Sequence, residues 1–268
     1  MEIIGYFMAA LVGISLGLIG GGGSILTVPI LVYVMGLNPM LATSYSLFIV
    51  GSTSLVGAVN NYFKGFVNIK TALLFGTSSI TTVFITRKLL MPLIPPVLLR
   101  TEHFQVTQSM ATMVLFAILM LVAAIAMISN KEESIRPKKT AIPYDTNIAR
   151  LLFYGILIGF ATGFLGAGGG FLLIPALVLL LKMPMKNAIG TSLLIIALNS
   201  LIGFTGDIGH FTIDWKFLII ITLVAVAGIF IGGLLAKKLE GERLKKGFGW
   251  FVLLMGIYIL VKEIFLTK

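Results

Sequence analysis

The chain has 268 residues, of which 58% are hydrophobic and 11% are charged, and it carries a formal net charge of +10. Soluble proteins contain about 25% charged residues, so this composition excludes a pair of water-soluble domains as well as a disordered chain. The absence of cysteine excludes disulfide bonds, iron–sulfur clusters and cysteine-based zinc sites, and we expect neither a metal nor a cofactor. The basic residues lie between apolar runs, which favours contact with a lipid bilayer over binding to nucleic acid.

Each half of the sequence starts with a long apolar run that a glycine cluster interrupts. The first run covers residues 3–36 and the second covers residues 151–181. Three uninterrupted runs, which we interpret as transmembrane helices, follow each broken one. They cover residues 41–59, 71–90 and 106–128 in the first half and residues 188–206, 217–236 and 248–261 in the second. We therefore predict three parts, which are a first transmembrane repeat, a cytoplasmic linker and a second transmembrane repeat, over residues 1–129, 130–150 and 151–268.

The two halves form an internal repeat, which indicates a duplicated transporter-like unit. At an offset of 146 positions, glycines and a proline of the two broken runs coincide. The matched residues are Gly13, Gly17, Gly20, Gly22, Gly23 and Pro29 in the first half and Gly159, Gly163, Gly166, Gly168, Gly169 and Pro175 in the second. At an offset of 148 positions, Thr43-Ser44 coincides with Thr191-Ser192.

The length of the broken runs predicts a hairpin rather than a single crossing. About 31 residues make a helix of roughly 47 Å, too long for one crossing of a ~30 Å hydrocarbon core and too short for two. A returning hairpin also places the two loops richest in Lys and Arg on one side, the cytoplasmic side by the positive-inside rule. We therefore predict an all-α polytopic membrane protein of two inverted repeats, each a glycine-broken re-entrant-type helical hairpin plus three transmembrane helices. In this topology Arg87 and Lys88, at the end of the run over residues 71–90, lie on the external side.

The glycine clusters are the first candidate site, because a broken helix leaves backbone groups that need partners inside a membrane. We predict that the two breaks meet near the midplane and bind an anion, with Ser24 capping the helix that resumes. The residues assigned to substrate are Gly21, Gly22, Gly23 and Ser24, together with Gly168, Gly169 and Gly170. Close helix packing is the alternative, and it is favoured for Gly13, Gly17, Gly159 and Gly163 because of their four-residue spacing.

Hydroxyl and amide side chains supply further candidate ligands. Thr43, Ser44, Thr191 and Ser192 stand near the starts of spans, where they either donate to a substrate oxygen or satisfy the helix backbone. Asn199 lies near the middle of an apolar run, and it either joins helices or contacts substrate.

Two ionisable residues, Asp207 and His210, follow the end of one run. Proton coupling is one role for them, because histidine titrates near neutrality, but the pattern favours ordinary solvated loop residues. The sequence contains no phosphate-binding loop, metalloprotease motif or serine-hydrolase motif. We therefore predict that the protein is not an enzyme.

These motifs together resemble those of the sulfite exporter TauE/SafE family, also called the sulfonate uptake permease family. The resemblance covers essentially the whole chain. It rests on the duplicated glycine breaks with Pro29 and Pro175, on Ala42-Thr43-Ser44 and Gly190-Thr191-Ser192, and on Ile213-Asp214-Trp215-Lys216. It implies a multi-pass permease of a prokaryotic inner membrane that handles sulfur-containing anions such as sulfite, thiosulfate or organosulfonates, in either direction.

We expect a secondary transporter of a small sulfur-containing anion, bound between the two glycine breaks while the repeats rock about it. The alternative is a membrane subunit that supports a partner protein in sulfur metabolism. Such a partner needs a docking surface, for which the charged stretch at residues 129–150 is the sizeable candidate.

Overall fold

The structure, a computed structural model, is mostly helical. It describes residues 2–95, 97–101, 104–129, 148–165, 169–181, 183–210, 212–235 and 241–266. The long helices of the first half are α1 (Glu2–Ile19), α3 (Pro39–Phe63), α4 (Ile69–Ile85) and α6 (Gln108–Ser129). Those of the second half are α7 (Ile148–Leu165), α9 (Met185–Asp207), α10 (Trp215–Leu235) and α11 (Gly241–Val261). Three short helices are α2 (Thr27–Pro29), α5 (Met91–Leu93) and α8 (Gly170–Pro175).

Among the described residues, six helical segments are long and apolar enough to cross a membrane. They are Pro39–Phe63, Ile69–Leu93, Gln108–Ile125, Ile148–Leu165, Lys186–Asp207 and Trp215–Leu235. Two shorter apolar helices, Gly5–Leu18 and Ser24–Val34, form the first broken element. The prediction of a multi-pass helical membrane protein is confirmed, and most of the predicted linker lies outside the described residues.

The repeat seen in the sequence recurs in the secondary structure. Helices α1 and α7 begin 146 positions apart and also end 146 positions apart. The π-helical turns that close the two broken elements, Ile30–Val34 and Ala176–Leu180, keep the same offset. The first break itself is a 3-10 helix over Gly20–Leu26, in which Gly20 adopts a φ of 72° that favours glycine.

Side chains just before two of the long helices fix where those helices begin. Asn38 accepts a hydrogen bond from the Met40 N–H, and Pro39 occupies the first turn of α3. Asn68 accepts from the Thr71 N–H at the start of α4.

The prediction of an all-α protein is wrong at one place, a two-stranded antiparallel hairpin between α5 and α6. Its strands are β1 (Val97–Thr101) and β2 (Phe104–Thr107), with Thr101 paired to Phe104. Proline cannot continue a helix, and Pro95 lies two residues after the end of α5. Valine, threonine and phenylalanine then favour extended chain. The predicted span at residues 106–128 therefore begins at Gln108, after β2.

The two halves interleave, because each contributes a helix that packs on the other. Helix α1 packs on α10, α7 packs on α4, and α3 packs along α9 at the centre. A Cβ on Gly13 would overlap the Ala225 carbonyl oxygen, and a Cβ on Gly159 would lie 2.5 Å from the Ser79 carbonyl oxygen. The equivalent contacts of Gly17 and Gly163 are similarly close. The packing role predicted for these four glycines is confirmed.

Candidate functional site

Contacts across the central helices define two ends of the bundle. At the first, which we call the Arg87 end, α3 begins and α9 ends, and the Asp214 N–H donates to the Tyr45 hydroxyl over 2.7 Å. At the second, which we call the Thr191 end, α9 begins and the Asn68 N–H donates to Thr191 Oγ1 over 2.9 Å. Helices α3 and α9 are therefore antiparallel. The continuous helical segment Ile69–Leu93, which includes α4 and α5, runs toward the Arg87 end.

A buried ion pair lies at the Arg87 end. Arg87 belongs to the π-helical turn Thr86–Leu90 between α4 and α5, and Asp207 is the last residue of α9. Arg87 Nη1 donates to Asp207 Oδ2 over 3.2 Å and to Thr43 Oγ1 over 3.1 Å. The two charged side chains are only 2% and 4% exposed. Charges are costly inside a membrane and usually serve a function there, so this pair marks the strongest candidate site.

Two hydroxyls and an imidazole border the ion pair. Thr43 donates its own hydroxyl proton to the Met40 carbonyl over 2.7 Å, which leaves its oxygen free to accept from Arg87. The Ser44 hydroxyl lies close to the Asp207 carboxylate but meets no hydrogen-bond geometry with any described group. His210 is exposed, and its backbone N–H donates to the Asp207 carbonyl. We call Arg87, Asp207, Thr43 and Ser44 the Arg87 cluster.

The ion pair corrects two interpretations of the sequence. Arg87 counts among the charges on the external side, yet the helical segment continues to Leu93 and buries it. Asp207 was favoured as a solvated loop residue, yet α9 extends through it and it is 3% exposed. A Cβ on Gly206 would lie 3.2 Å from Arg87 Cβ, so glycine lets α9 approach the π-helical turn. Lys88, in contrast, is exposed, with its ammonium 5.3 Å from the centre of the Phe84 ring.

The two Thr-Ser pairs do not share one site. Thr43 and Ser44 belong to the Arg87 cluster, whereas Thr191 is held at the Thr191 end. A Cβ on Gly190 would lie 3.2 Å from Asn61 Cβ, so Thr191 is level with the last turns of α3. At 1.5 Å per residue the two pairs are roughly 27 Å apart along α3. A small anion cannot contact both pairs at once, which corrects the single site that the sequence suggested.

Ser192 and Asn199 both make hydrogen bonds within the protein. The Ser192 hydroxyl donates to the Ile189 carbonyl over 2.9 Å. Asn199 Nδ2 donates to Ser79 Oγ over 2.6 Å and so joins α9 to α4. Asn199 Oδ1 and the neighbouring Ser200 hydroxyl are buried and lack a partner among the described residues. The helix-joining role of Asn199 is thus present, and contact with substrate remains a prediction.

The two glycine breaks touch each other. A Cβ on Gly170 would overlap the Gly21 carbonyl oxygen, and a Cβ on Gly21 would lie 2.8 Å from Gly170 Cα. The same Gly21 position faces the end of Ile196, at the middle of α9. The breaks therefore meet midway along the central helices, as the sequence predicted, and they do so with their backbones in direct contact.

The details of the breaks differ from the predicted helix ends. Ser24 lies inside the 3-10 helix and donates to the Gly21 carbonyl over 2.8 Å, so the predicted cap by Ser24 is wrong. Gly22 and Gly23 belong to the same 3-10 helix, and Gly168 lies outside the described residues. Gly169 precedes α8 with a φ of 67°, a left-handed conformation that glycine adopts readily. The alternative interpretation of the clusters, close packing, accounts for the Gly21–Gly170 contact.

The comparisons with known proteins identify the family. The model of the sulfite exporter TauE/SafE family matches residues 6–259. The chain belongs to this family. A probable membrane transporter protein of Xylella fastidiosa (strain Temecula1) is 30% identical over 257 residues, covering 93% of this chain and 91% of the relative. The probable membrane transporter protein YunE of Bacillus subtilis is 26% identical, covering 92% and 93% of the two chains. No solved structure matches the chain significantly.

The match to the TauE/SafE family model covers both halves of the molecule. The matched residues include both glycine breaks and both partners of the buried ion pair. The prediction of family from the duplicated motifs is therefore confirmed, and the chain is a multi-pass membrane protein of that family.

Proposed function

We propose that this protein is a secondary transporter of small sulfur-containing anions such as sulfite, thiosulfate or organosulfonates, which moves them by alternating access between its two repeats. The contact between the two glycine breaks at the middle of α9 carries this proposal. Transporters of this kind hold their broken helices at the interface between two repeats, close to the membrane midplane. The description of the matching family and the names of the relatives support the same activity.

The directions of the helices support two inverted repeats. Gly13 and Gly17 lie beside Ala225 and Ile229 in turn, so α1 runs parallel to α10 and starts at the Arg87 end. Gly155 and Gly163 lie beside Phe75 and Val83 in turn, so α7 runs parallel to α4 and starts at the Thr191 end. Equivalent helices of the two halves therefore run in opposite directions. Rocking of one repeat against the other then opens the site at the midplane first to one side of the membrane and then to the other.

The first broken element also supports a re-entrant hairpin. A Cβ on Gly5 would overlap the end of Met35, so the start of α1 and the end of the following π-helical turn lie side by side. The chain thus returns to the Arg87 end after the break. The second broken element returns in the same way, since α7 and α9 both start at the Thr191 end. The Lys- and Arg-rich loops before α7 and after α10 then share that end, which supports insertion in a prokaryotic inner membrane with both loops in the cytoplasm.

The hydrogen-bond donors of Arg87 support an anionic substrate. Among the described residues, Arg87 is the buried cation of the spans, and its guanidinium has donors that no protein group occupies. A divalent anion crossing 100 mV gains or loses about 4.6 kcal/mol. In a cell that is negative inside, this energy drives export of a divalent substrate without a coupled ion.

Flux through the purified protein tests the proposal. Proteoliposomes that contain only this chain should take up thiosulfate or sulfite with saturation, and faster when the membrane potential draws the anion inward. Sulfoacetate, sulfate and chloride test the substrate range, and protein-free vesicles supply the background. Absence of flux for every anion, from protein shown to be folded, would contradict the proposal and favour the subunit of a partner protein.

A further inference from the structure

Only one of the three nitrogens of the Arg87 guanidinium donates hydrogen bonds to described protein groups. Its two hydrogen bonds, to Asp207 and to Thr43, both start from Nη1. The other two nitrogens, Nε and Nη2, are buried and have no hydrogen-bond partner among the residues that the structure describes. These two nitrogens share one edge of the planar group, where their N–H bonds point in parallel. That edge is the fork by which arginine holds an oxyanion through two hydrogen bonds.

Buried donors without partners are costly, and most so on a charged group. Native proteins leave few of them, and each one calls for a bound water, an ion or a ligand. The Ser44 hydroxyl, which is also buried, lies beside the Asp207 carboxylate in the same cluster. The Nε–Nη2 edge of this 2% exposed arginine is covered by protein, so it calls for an acceptor that reaches it when the cluster opens during transport.

We propose that the Nε–Nη2 edge of Arg87 is an oxyanion-binding site at the Arg87 end of the substrate path. The proposal rests on the transport function above and deepens it, since it assigns the residue that selects the substrate class. The ligand is an anion with at least two oxygens on one face, such as a sulfonate or sulfite, with one oxygen on each N–H. A single-atom anion such as chloride cannot place a separate acceptor on each donor.

The Asp207 carboxylate competes with an anionic ligand for the charge of Arg87. Asp207 neutralises Arg87 through a hydrogen bond to Nη1, and it does not use the donors on the Nε–Nη2 edge. The negative charge of Asp207 lowers the affinity of the fork for an anion, so a bound anion can be released. The same charge stabilises Arg87 when no anion is bound. Among the described residues, His210 and Lys88 are the other ionisable groups beside the pair, and both are exposed.

Binding measurements on the detergent-solubilised full chain test the site. Isothermal titration should give tighter binding of methanesulfonate than of chloride, which matches it in charge, and thiosulfate should compete with methanesulfonate. Arg87→Lys keeps the charge but loses the fork, so methanesulfonate should bind at least about tenfold more weakly. Lys88→Gln removes the neighbouring exposed charge and should leave the affinity unchanged. Equal affinity of the wild-type protein for methanesulfonate and chloride would overturn the proposal.

A double variant that replaces both charged residues with neutral ones tests the site if Arg87→Lys does not fold. Arg87→Gln/Asp207→Asn leaves no unpaired charge in the bundle, and it should abolish oxyanion binding in folded protein. Asp207→Asn alone retains an acceptor for Nη1 and removes the competing charge, so binding should tighten by about tenfold or more. Unchanged affinity in the double variant would overturn the site, and it would show that water fills the fork.

The same variants separate this site from the transport function. Flux of the wild-type protein that persists unchanged in Arg87→Gln/Asp207→Asn would overturn the site and leave transport standing. Oxyanion binding that requires Arg87, in a protein without flux, would support the site and contradict transport.

Discussion

Arg87→Gln should lower the free energy of unfolding by about 3–5 kcal/mol, because it leaves the Asp207 carboxylate buried without its cation. The carboxylate is 4% exposed and has the Arg87 guanidinium as its cation at 3.2 Å. The Arg87→Gln/Asp207→Asn variant replaces the ion pair with two neutral amides, so it should recover most of the loss. Titration of the purified protein with sodium dodecyl sulfate in mixed micelles measures the three free energies of unfolding.

Lys88→Gln is the matched control for this stability experiment. Lys88 follows Arg87 directly, but it is exposed and contacts only the face of Phe84 among the described rings. Its loss should change stability by less than about 1 kcal/mol. Equal effects of Arg87→Gln and Lys88→Gln, or a double variant as unstable as the single one, would mean that the ion pair does not form.

The sequence predicted the order of the elements because their signals are local. Apolar runs, glycine clusters and prolines are read within a few turns of helix. The positions of α1 and α7 and of the two π-helical turns follow the 146-residue offset that the glycines had already indicated. The contact between Gly21 and Gly170 is the one expected of the proposed inverted repeats, since two breaks at equivalent positions then meet at the axis that relates them.

The ion pair was not predictable from local signals. Arg87 and Asp207 are separated by 120 positions, and each stands next to a predicted loop, where a charge is ordinary. Only the packing of α9 on the π-helical turn brings them together. A weak signal existed: Arg87 is followed by Leu89, Leu90 and Met91, so the apolar run does not end at the charge.

The single site for the two Thr-Ser pairs failed for a reason of symmetry. Equivalent residues of inverted repeats lie on opposite sides of the axis, and they meet only if they are close to it. The glycine breaks are close to the axis, whereas Thr43 and Thr191 stand at opposite ends of the α3–α9 pair. The repeat therefore predicts two chemically different ends. The Arg87 end carries a buried cation, and the equivalent of Arg87 at the offset of 146 is Gly233.

Gly170→Ala should lower the stability of the protein by about 1–3 kcal/mol, because the new methyl group overlaps the backbone of Gly21. Alanine is the better helix former by up to about 1 kcal/mol, so a loss of stability at the first residue of α8 must come from the contact between the breaks. Unfolding in mixed micelles measures the change. Gly233→Ala is the control, since a Cβ there meets nothing within 4 Å, and it should leave the stability unchanged or raise it.

The same variant relates the contact to transport. If the repeats rock about the two breaks, the state in which Gly21 and Gly170 touch is one of the states that alternate. A penalty of about 1.4 kcal/mol on that state shifts the equilibrium between states about tenfold. Thiosulfate flux in proteoliposomes should then fall by a similar factor in Gly170→Ala and stay normal in Gly233→Ala. A normal flux in Gly170→Ala, together with the expected loss of stability, would restrict the glycine breaks to helix packing and move the substrate path to another part of the α3–α9 interface.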